Sequence, residues 1–76
     1  MKINFKNSKG RTITLNVEGL TKIENVKTMV KNSISSDKKI RLLYAGDVMK
    51  DGDTLDDYGV EDLDSITYTE EYEAGI

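Results

Sequence analysis

The 76-residue sequence contains no cysteine, no histidine and no proline. Without cysteine, a disulfide, a thiolate nucleophile and a cysteine-based metal site are all excluded, which suits a reducing compartment. Without histidine as well, most arrangements for nucleophilic and general-base catalysis are excluded. No apolar run approaches the roughly 20 residues of a membrane-spanning helix. The first residues, MKINFKN, alternate between apolar and polar, unlike the apolar block of a signal peptide.

The charges are unevenly distributed along the chain. Residues 1–41 carry ten Lys or Arg and three acids, a net charge of +7, whereas residues 42–76 carry one Lys and eleven acids, a net charge of −10. Either the two halves form a solvated surface on which they attract each other, or they create a surface that steers partners by charge. Nucleic-acid binding is not expected, because the basic residues are not interleaved with aromatic ones and the whole chain is acidic.

One amphipathic helix is predicted over residues 21–34. Apolar side chains recur there three or four positions apart, at Ile23, Val26, Val30 and Ile34. This spacing is typical of one buried helix face. Thr21 and Glu24 have the spacing of a capping box, so we expect their side chains to begin the helix. A stripe this narrow must be covered, and the other segments resemble strands, which predicts a helix packed on one face of a sheet.

Strands are predicted over residues 1–6, 11–18, 40–45 and 66–70, with a very short edge strand at 48–49. A helical turn over residues 54–58 is expected to be capped by Thr54 and ended by Gly59. Placing the last strand at the sheet centre, parallel to the first, allows a right-handed crossover. The predicted fold class is therefore α+β, with a mixed, curled sheet. The expected core contains Ile3, Phe5, Ile13, Leu15, Val17, Ile23, Val26, Val30, Leu42, Leu55, Val60, Ile66 and Tyr68. Leu63 is expected to anchor this core together with Val60.

Five segments together resemble the ubiquitin family over nearly the whole length. They are MKI at the start, GRTITLNVE in the second strand, IENVK in the helix, RLLYAG in the third strand and DGDTLDDY before the helical turn. Each segment alone is weak, but their order and spacing together are specific. The resemblance implies the β-grasp fold of that family, with residues 1–70 as the domain and 71–76 as a flexible acidic tail.

The resemblance also implies a binding surface. In ubiquitin the main binding patch is a small apolar area of the sheet, and the matching or adjoining positions here are Ser8, Arg41, Leu43, Gly46, Thr67 and Thr69. Of the three positions that form the patch itself, only Leu43 is apolar here. Less apolar area can then be buried, so we expect ordinary ubiquitin-binding domains to recognise this chain poorly. Alternatively, Leu43 is a single exposed leucine of the kind found on most surfaces.

The end of the chain departs from the family pattern. Glu71 and Glu73 match two arginines of the ubiquitin tail, and Ala74 matches the first of its two glycines. Because this reverses the charge that an activating enzyme reads, charging by the ordinary ubiquitin-activating enzyme is not expected. Gly75 followed by a single Ile resembles a precursor that is trimmed after Gly75. A flexible chain end is the alternative reading.

Two lysines, Lys6 and Lys27, match lysines through which ubiquitin builds chains. Lys27 lies beside the apolar face of the predicted helix, so a structural role is the alternative. The positions of the best-known chain linkages hold Asp47 and Asp62 here, which excludes those linkages.

We therefore expect a ubiquitin-like protein–protein interaction domain that is not conjugated by the ordinary pathway. The alternative is a divergent modifier that is processed after Gly75 and joined to target proteins. A small enzyme is the third reading, and its activity would depend on Asp56 and Asp57. We expect no enzyme activity and no cofactor, because cysteine and histidine are absent. We also expect no metal, since an EF-hand loop counted from Asp51 lacks the required glycine and glutamate. The expected partners are proteins, and binding to nucleic acid or membrane is not expected. The protein is expected to be a monomer in the cytoplasm or nucleus.

Overall fold

The computed structural model describes residues 1–71. Five strands and two helical segments follow one another: β1 (Lys2–Lys6), β2 (Thr12–Asn16), α1 (Ile23–Ser33), β3 (Lys39–Tyr44), β4 (Asp47–Val48), a 3-10 helix (Asp56–Tyr58) and β5 (Ser65–Glu71). The strands form one sheet in the order β2-β1-β5-β3-β4. β1 and β5 run parallel, and the other neighbouring pairs are antiparallel. The predicted α+β fold, a mixed sheet with one helix on it, is confirmed.

Alternation along the strands directs one set of side chains toward the helix and the other set away from it. The inward set and the helix stripe form the core, whose members are Ile3, Phe5, Val17, Ile23, Val26, Val30, Ile34, Ile40, Leu42, Met49, Leu55, Val60, Ile66 and Tyr68. Ile40 and Met49 were not predicted in this core. Ile13 and Leu15 were predicted in it but are only partly buried, because β2 is an edge strand.

The predicted start of the helix is wrong. Thr21 does not cap Glu24; its side-chain oxygen instead accepts a hydrogen bond from the backbone N–H of Glu18 at 3.3 Å. The first helical amides donate to the loop that follows β4. The N–H of Ile23 reaches the carbonyl of Asp53 at 2.9 Å, and that of Glu24 reaches the carbonyl of Asp51 at 3.3 Å. Because a distant loop satisfies these donors, the helix begins at Ile23 without a local side-chain cap.

Leu63 is the clearest error in the predicted core, because 66% of its surface is exposed. It lies in the turn before β5 with φ of +71°, a value unusual for a residue with a side chain. Its backbone N–H donates to the carbonyl of Lys2 at 2.6 Å. The backbone of Leu63 thus links the turn to β1, while its side chain faces solvent.

Candidate functional site

The face of the sheet opposite the helix brings together four of the six residues predicted at the binding surface. Arg41 and Leu43 alternate outward on β3, and Thr67 and Thr69 do so on β5. The strand register pairs Arg41 with Thr69 and Leu43 with Thr67. Directly paired residues have their Cβ atoms on the same face and within contact range. These four residues therefore occupy two adjacent rows of one surface.

Val48 belongs to this surface and was not predicted there. It pairs with Leu43 from the other side, and half of its surface is exposed. A single row thus crosses four strands in the order Lys6, Thr67, Leu43 and Val48. We call Arg41, Leu43, Val48, Thr67 and Thr69 the outer patch. Leu43 is consequently not an isolated apolar residue, because Val48 extends the apolar area beside it.

Gly46 is one of the residues of the turn that joins β3 to β4. Tyr44 pairs with Asp47, so the turn has only two residues, Ala45 and Gly46. Both have positive φ, +51° and +85°, as a type I′ turn requires. Glycine adopts this conformation without steric cost. Gly46 therefore contributes to the outer patch by fixing the register that sets Val48 beside Leu43.

Ser8 lies in the hairpin between β1 and β2 and is exposed. The hairpin is held by the side-chain oxygen of Asn7, which accepts hydrogen bonds from the N–H groups of Lys9 at 3.1 Å and Arg11 at 2.8 Å. Ser8 and Thr69 both line one surface cavity of about 210 Å³. Ser8 thus borders the outer patch on the Thr69 side. Val48 lies at the other end of the patch, beyond β3.

The charge around the outer patch is mainly positive. Lys6 faces outward beside Thr67, and Arg41 belongs to the patch itself. Glu71 is the nearby acid, and its carboxylate lies 3.2 Å from Nε of Arg41. The acids that follow β4 pack elsewhere, since residues 51–54 contact the start of α1. The ion pairs Arg41–Glu71 and Lys27–Asp51 each join the basic part of the sequence to the acidic part, so the two parts meet on the surface.

A tyrosine–carboxylate contact secures the end of β3. The hydroxyl of Tyr44 donates to Oδ2 of Asp64 at 2.6 Å, and the same oxygen accepts from the N–H of Glu61 at 2.9 Å. The hydrogen bond from Tyr44, followed by that from Glu61, lowers the pKa of Asp64. The same bond raises the pKa of Tyr44, because it stabilises the protonated hydroxyl. This contact fixes β3 to the turn before β5, beside the outer patch.

With this geometry established, comparison with known proteins identifies the family. A family model described as the ubiquitin family matches residues 3–69. This chain belongs to the ubiquitin family. A curated relative, the UV excision repair protein RAD23 of Saccharomyces cerevisiae, is 33% identical over 67 residues. The match covers 87% of this chain and 17% of that protein, so the chain spans only a small part of the relative's length.

The two lysines that match chain-building positions of ubiquitin lie in different surroundings. Lys6 is exposed on the outer face of β1. Lys27 is partly buried, and its Nζ lies 2.6 Å from a carboxylate oxygen of Asp51. This ion pair joins α1 to the loop after β4, which agrees with a structural role for Lys27.

The predicted tail lies almost entirely outside the described residues. β5 extends to Glu71, which pairs with Lys39 of β3. The sheet therefore includes the first residue assigned to the tail. Gly75, the predicted processing site, lies outside the described residues.

Within residues 1–71, no three side chains of the metal-binding types are grouped as a metal site would need. Over the same residues, no helix has the length and apolar character required to cross a membrane. The outer patch and the cavity beside Ser8 are thus the features of this domain to which a function can be assigned.

Proposed function

We propose that this chain is a protein–protein interaction domain that binds its partners through the outer patch and has no catalytic activity. The observation that carries the proposal is the pairing of Leu43 with Val48 on an exposed sheet face. Two adjacent apolar side chains offer an anchor that a single leucine cannot. The hydroxyls of Thr67 and Thr69 surround this anchor and can form hydrogen bonds at its rim.

The charges predict the kind of partner. Lys6 and Arg41 flank the apolar pair, and Glu71 offsets only part of their charge. A segment with one or two apolar side chains and neighbouring acidic residues would complement this surface. Burying the exposed parts of Leu43 and Val48 would contribute about 1–3 kcal/mol. We therefore expect weak, reversible binding that depends on ionic strength.

We further propose that the ordinary ubiquitin pathway does not conjugate this chain. Glu71, which stands where the family has an arginine, is held in β5 and lies next to Arg41. Glu73 reverses a second positive charge of the family tail. An activating enzyme with a surface complementary to arginines would meet two like charges here, which disfavours binding. The absence of cysteine suits a role in the cytoplasm or nucleus.

The outer patch can be tested with matched leucine substitutions. Leu43→Ser should reduce by about ten-fold the affinity for partners captured from native cells, because an apolar anchor is lost. Leu20→Ser and Leu63→Ser are controls, since both leucines are exposed but lie outside the outer patch. Val48→Ser should weaken the same interactions as Leu43→Ser. Equal loss of partners with Leu63→Ser, or no loss with Leu43→Ser, would contradict the proposal.

Conjugation can be tested by the intact mass and the C-terminal peptide of the protein from its native cells. An unprocessed chain that retains Ile76 supports the interaction domain. A chain that ends at Gly75, or a Gly75 peptide joined to a lysine, would instead establish a modifier with its own activating enzyme. This measurement is independent of the leucine substitutions, so the two parts of the proposal can fail separately.

A further inference from the structure

The cavity beside Ser8 contains a buried polar group that the fold itself does not use. Tyr68 lines this cavity, and its side chain is fully buried. Its hydroxyl has no hydrogen-bond partner among residues 1–71. The hydroxyl of Tyr44, in contrast, donates to Asp64. Tyr58 donates to Asp53 at 2.7 Å and accepts from the N–H of Lys50, also at 2.7 Å.

A buried hydroxyl without a partner is unfavourable, and buried polar groups in proteins are almost always paired. A phenylalanine at position 68 would fill the same core space through its ring and would not bury a hydroxyl. Packing alone therefore does not explain the tyrosine. A ligand that pairs with this hydroxyl would explain it.

Besides Tyr68 and the acid Glu70, the cavity is lined by Asn7, Ser8, Lys9, Lys38 and Thr69, whose side chains all carry hydrogen-bond donors. Lys9 makes no ion pair within residues 1–71. Glu70 is the acid of the lining, and its Oε2 accepts a hydrogen bond from the hydroxyl of Ser36 at 3.0 Å. Lys9 supplies a positive charge that no acid within residues 1–71 pairs with, which makes the cavity suitable for a group with a single negative charge.

We propose that this cavity binds the carboxylate of an aspartate or glutamate side chain of a protein partner. The hydroxyl of Tyr68 and the ammonium of Lys9 donate to that carboxylate. Thr69 belongs to both the cavity and the outer patch, so one partner can contact both at once. This inference rests on the proposed function, because it supplies the acidic contact of a partner bound at the outer patch.

A carboxylate fits the lining better than the alternatives. It only accepts hydrogen bonds, and bonds from an ammonium or hydroxyl to an ionised acceptor are stronger than those to a neutral carbonyl. A phosphate dianion would place more negative charge beside Glu70, which is unfavourable. The hydroxyl of Tyr68 is covered in the free protein. Side chains at the cavity rim therefore move when the carboxylate enters.

The test is an NMR titration of the ¹⁵N-labelled protein with N-acetyl-glutamate N-methylamide. The matched neutral probe is N-acetyl-glutamine N-methylamide. We expect saturable shifts of the amide signals of Ser8, Lys9 and Thr69 with the glutamate probe and none with the glutamine probe. Tyr68→Phe and Lys9→Gln should each weaken this binding by roughly ten-fold, as expected for the loss of one hydrogen bond to a charged group. Lys22→Gln, a substitution of an exposed lysine at the start of α1, should leave it unchanged.

Three results would overturn the inference. They are equal shifts with both probes, unchanged binding by Tyr68→Phe, and stronger binding of inorganic phosphate than of the glutamate probe. The partner captured in the leucine experiment separates this inference from the proposed function. If Leu43→Ser releases that partner but Tyr68→Phe and Lys9→Gln bind it normally, the carboxylate site is wrong and the outer patch stands. If Leu43→Ser has no effect, the proposed function is wrong, whatever the probe titration gives.

Discussion

Tyr68→Phe should increase the stability of the free protein, although it removes a polar group from a tyrosine in the centre of the sheet. The substitution deletes one oxygen and keeps the ring that packs in the core. Leaving a buried hydroxyl unpaired costs about 1–3 kcal/mol of folding free energy. Removing the hydroxyl avoids this cost, but the small void left by the oxygen offsets part of the gain, because the atoms around it lose contacts. We therefore expect the free energy of unfolding to rise by about 1 kcal/mol.

A change of this size is measurable in a domain of 76 residues. It corresponds to a rise in Tm of about 4–8 °C for a domain of this length. Urea unfolding should give a higher midpoint with an unchanged slope, because the exposed surface hardly differs. Tyr44→Phe is the matched control, since it removes the same atom from a hydroxyl that does have a partner, Asp64. Its Tm should fall.

Opposite signs for the two tyrosine variants would support the reasoning. A fall in Tm for Tyr68→Phe that matches the fall for Tyr44→Phe would refute it. In that case the hydroxyl of Tyr68 is already paired in the free protein and needs no ligand in the cavity.

Two further predictions concern the core and the acid response. Val26→Ala should lower the free energy of unfolding by about 2 kcal/mol through lost burial and a cavity; a loss no larger than that of Asn25→Ala, at an exposed position of α1, would contradict this. The pKa of Asp64 is lowered below its ordinary value of 3.8 in the folded protein. Its contribution to stability is therefore complete at neutral pH and is lost as the pH falls through the folded pKa. Tm measured against pH should fall less steeply in acid for Tyr44→Phe than for the wild type. Parallel curves would show that the Tyr44–Asp64 hydrogen bond does not contribute to the loss of stability in acid.

Local patterns predicted most of the fold. Alternation identified β1, β2 and β5, and the apolar spacing identified the buried face of α1. The helix start was missed because its first amides donate to the carbonyls of Asp51 and Asp53, which lie 27 and 30 positions further along the chain. No pattern near Thr21 could indicate that contact. Leu63 was placed in the core by its apolar character alone, whereas its side chain faces solvent from a turn with positive φ.

The outer patch was less predictable than the fold. Because the segment IRLLYA is nearly continuously apolar, the sequence does not indicate which side chains of β3 point into the core. The register of β3 with β5 shows that Leu43 is on the outer face. Val48 could have been found from the two-residue turn at Ala45-Gly46, because that turn sets the pairing of the flanking strands. The unpaired hydroxyl of Tyr68 had no sequence signal, since alternation predicts its burial but not the hydrogen bonds it makes.

The pairing of β1 with β5 has a consequence for how this protein is made. The first and last strands are neighbours at the centre of the sheet, so Phe5 contacts a strand that begins 60 residues later. Until β5 has left the ribosome, β1–β2 and β3–β4 are separate hairpins without the strand that joins them. Such isolated hairpins are at best marginally stable. Folding must therefore await synthesis of nearly the whole domain, and a ribosome that stalls before residue 65 carries a chain whose apolar residues chaperones can still bind.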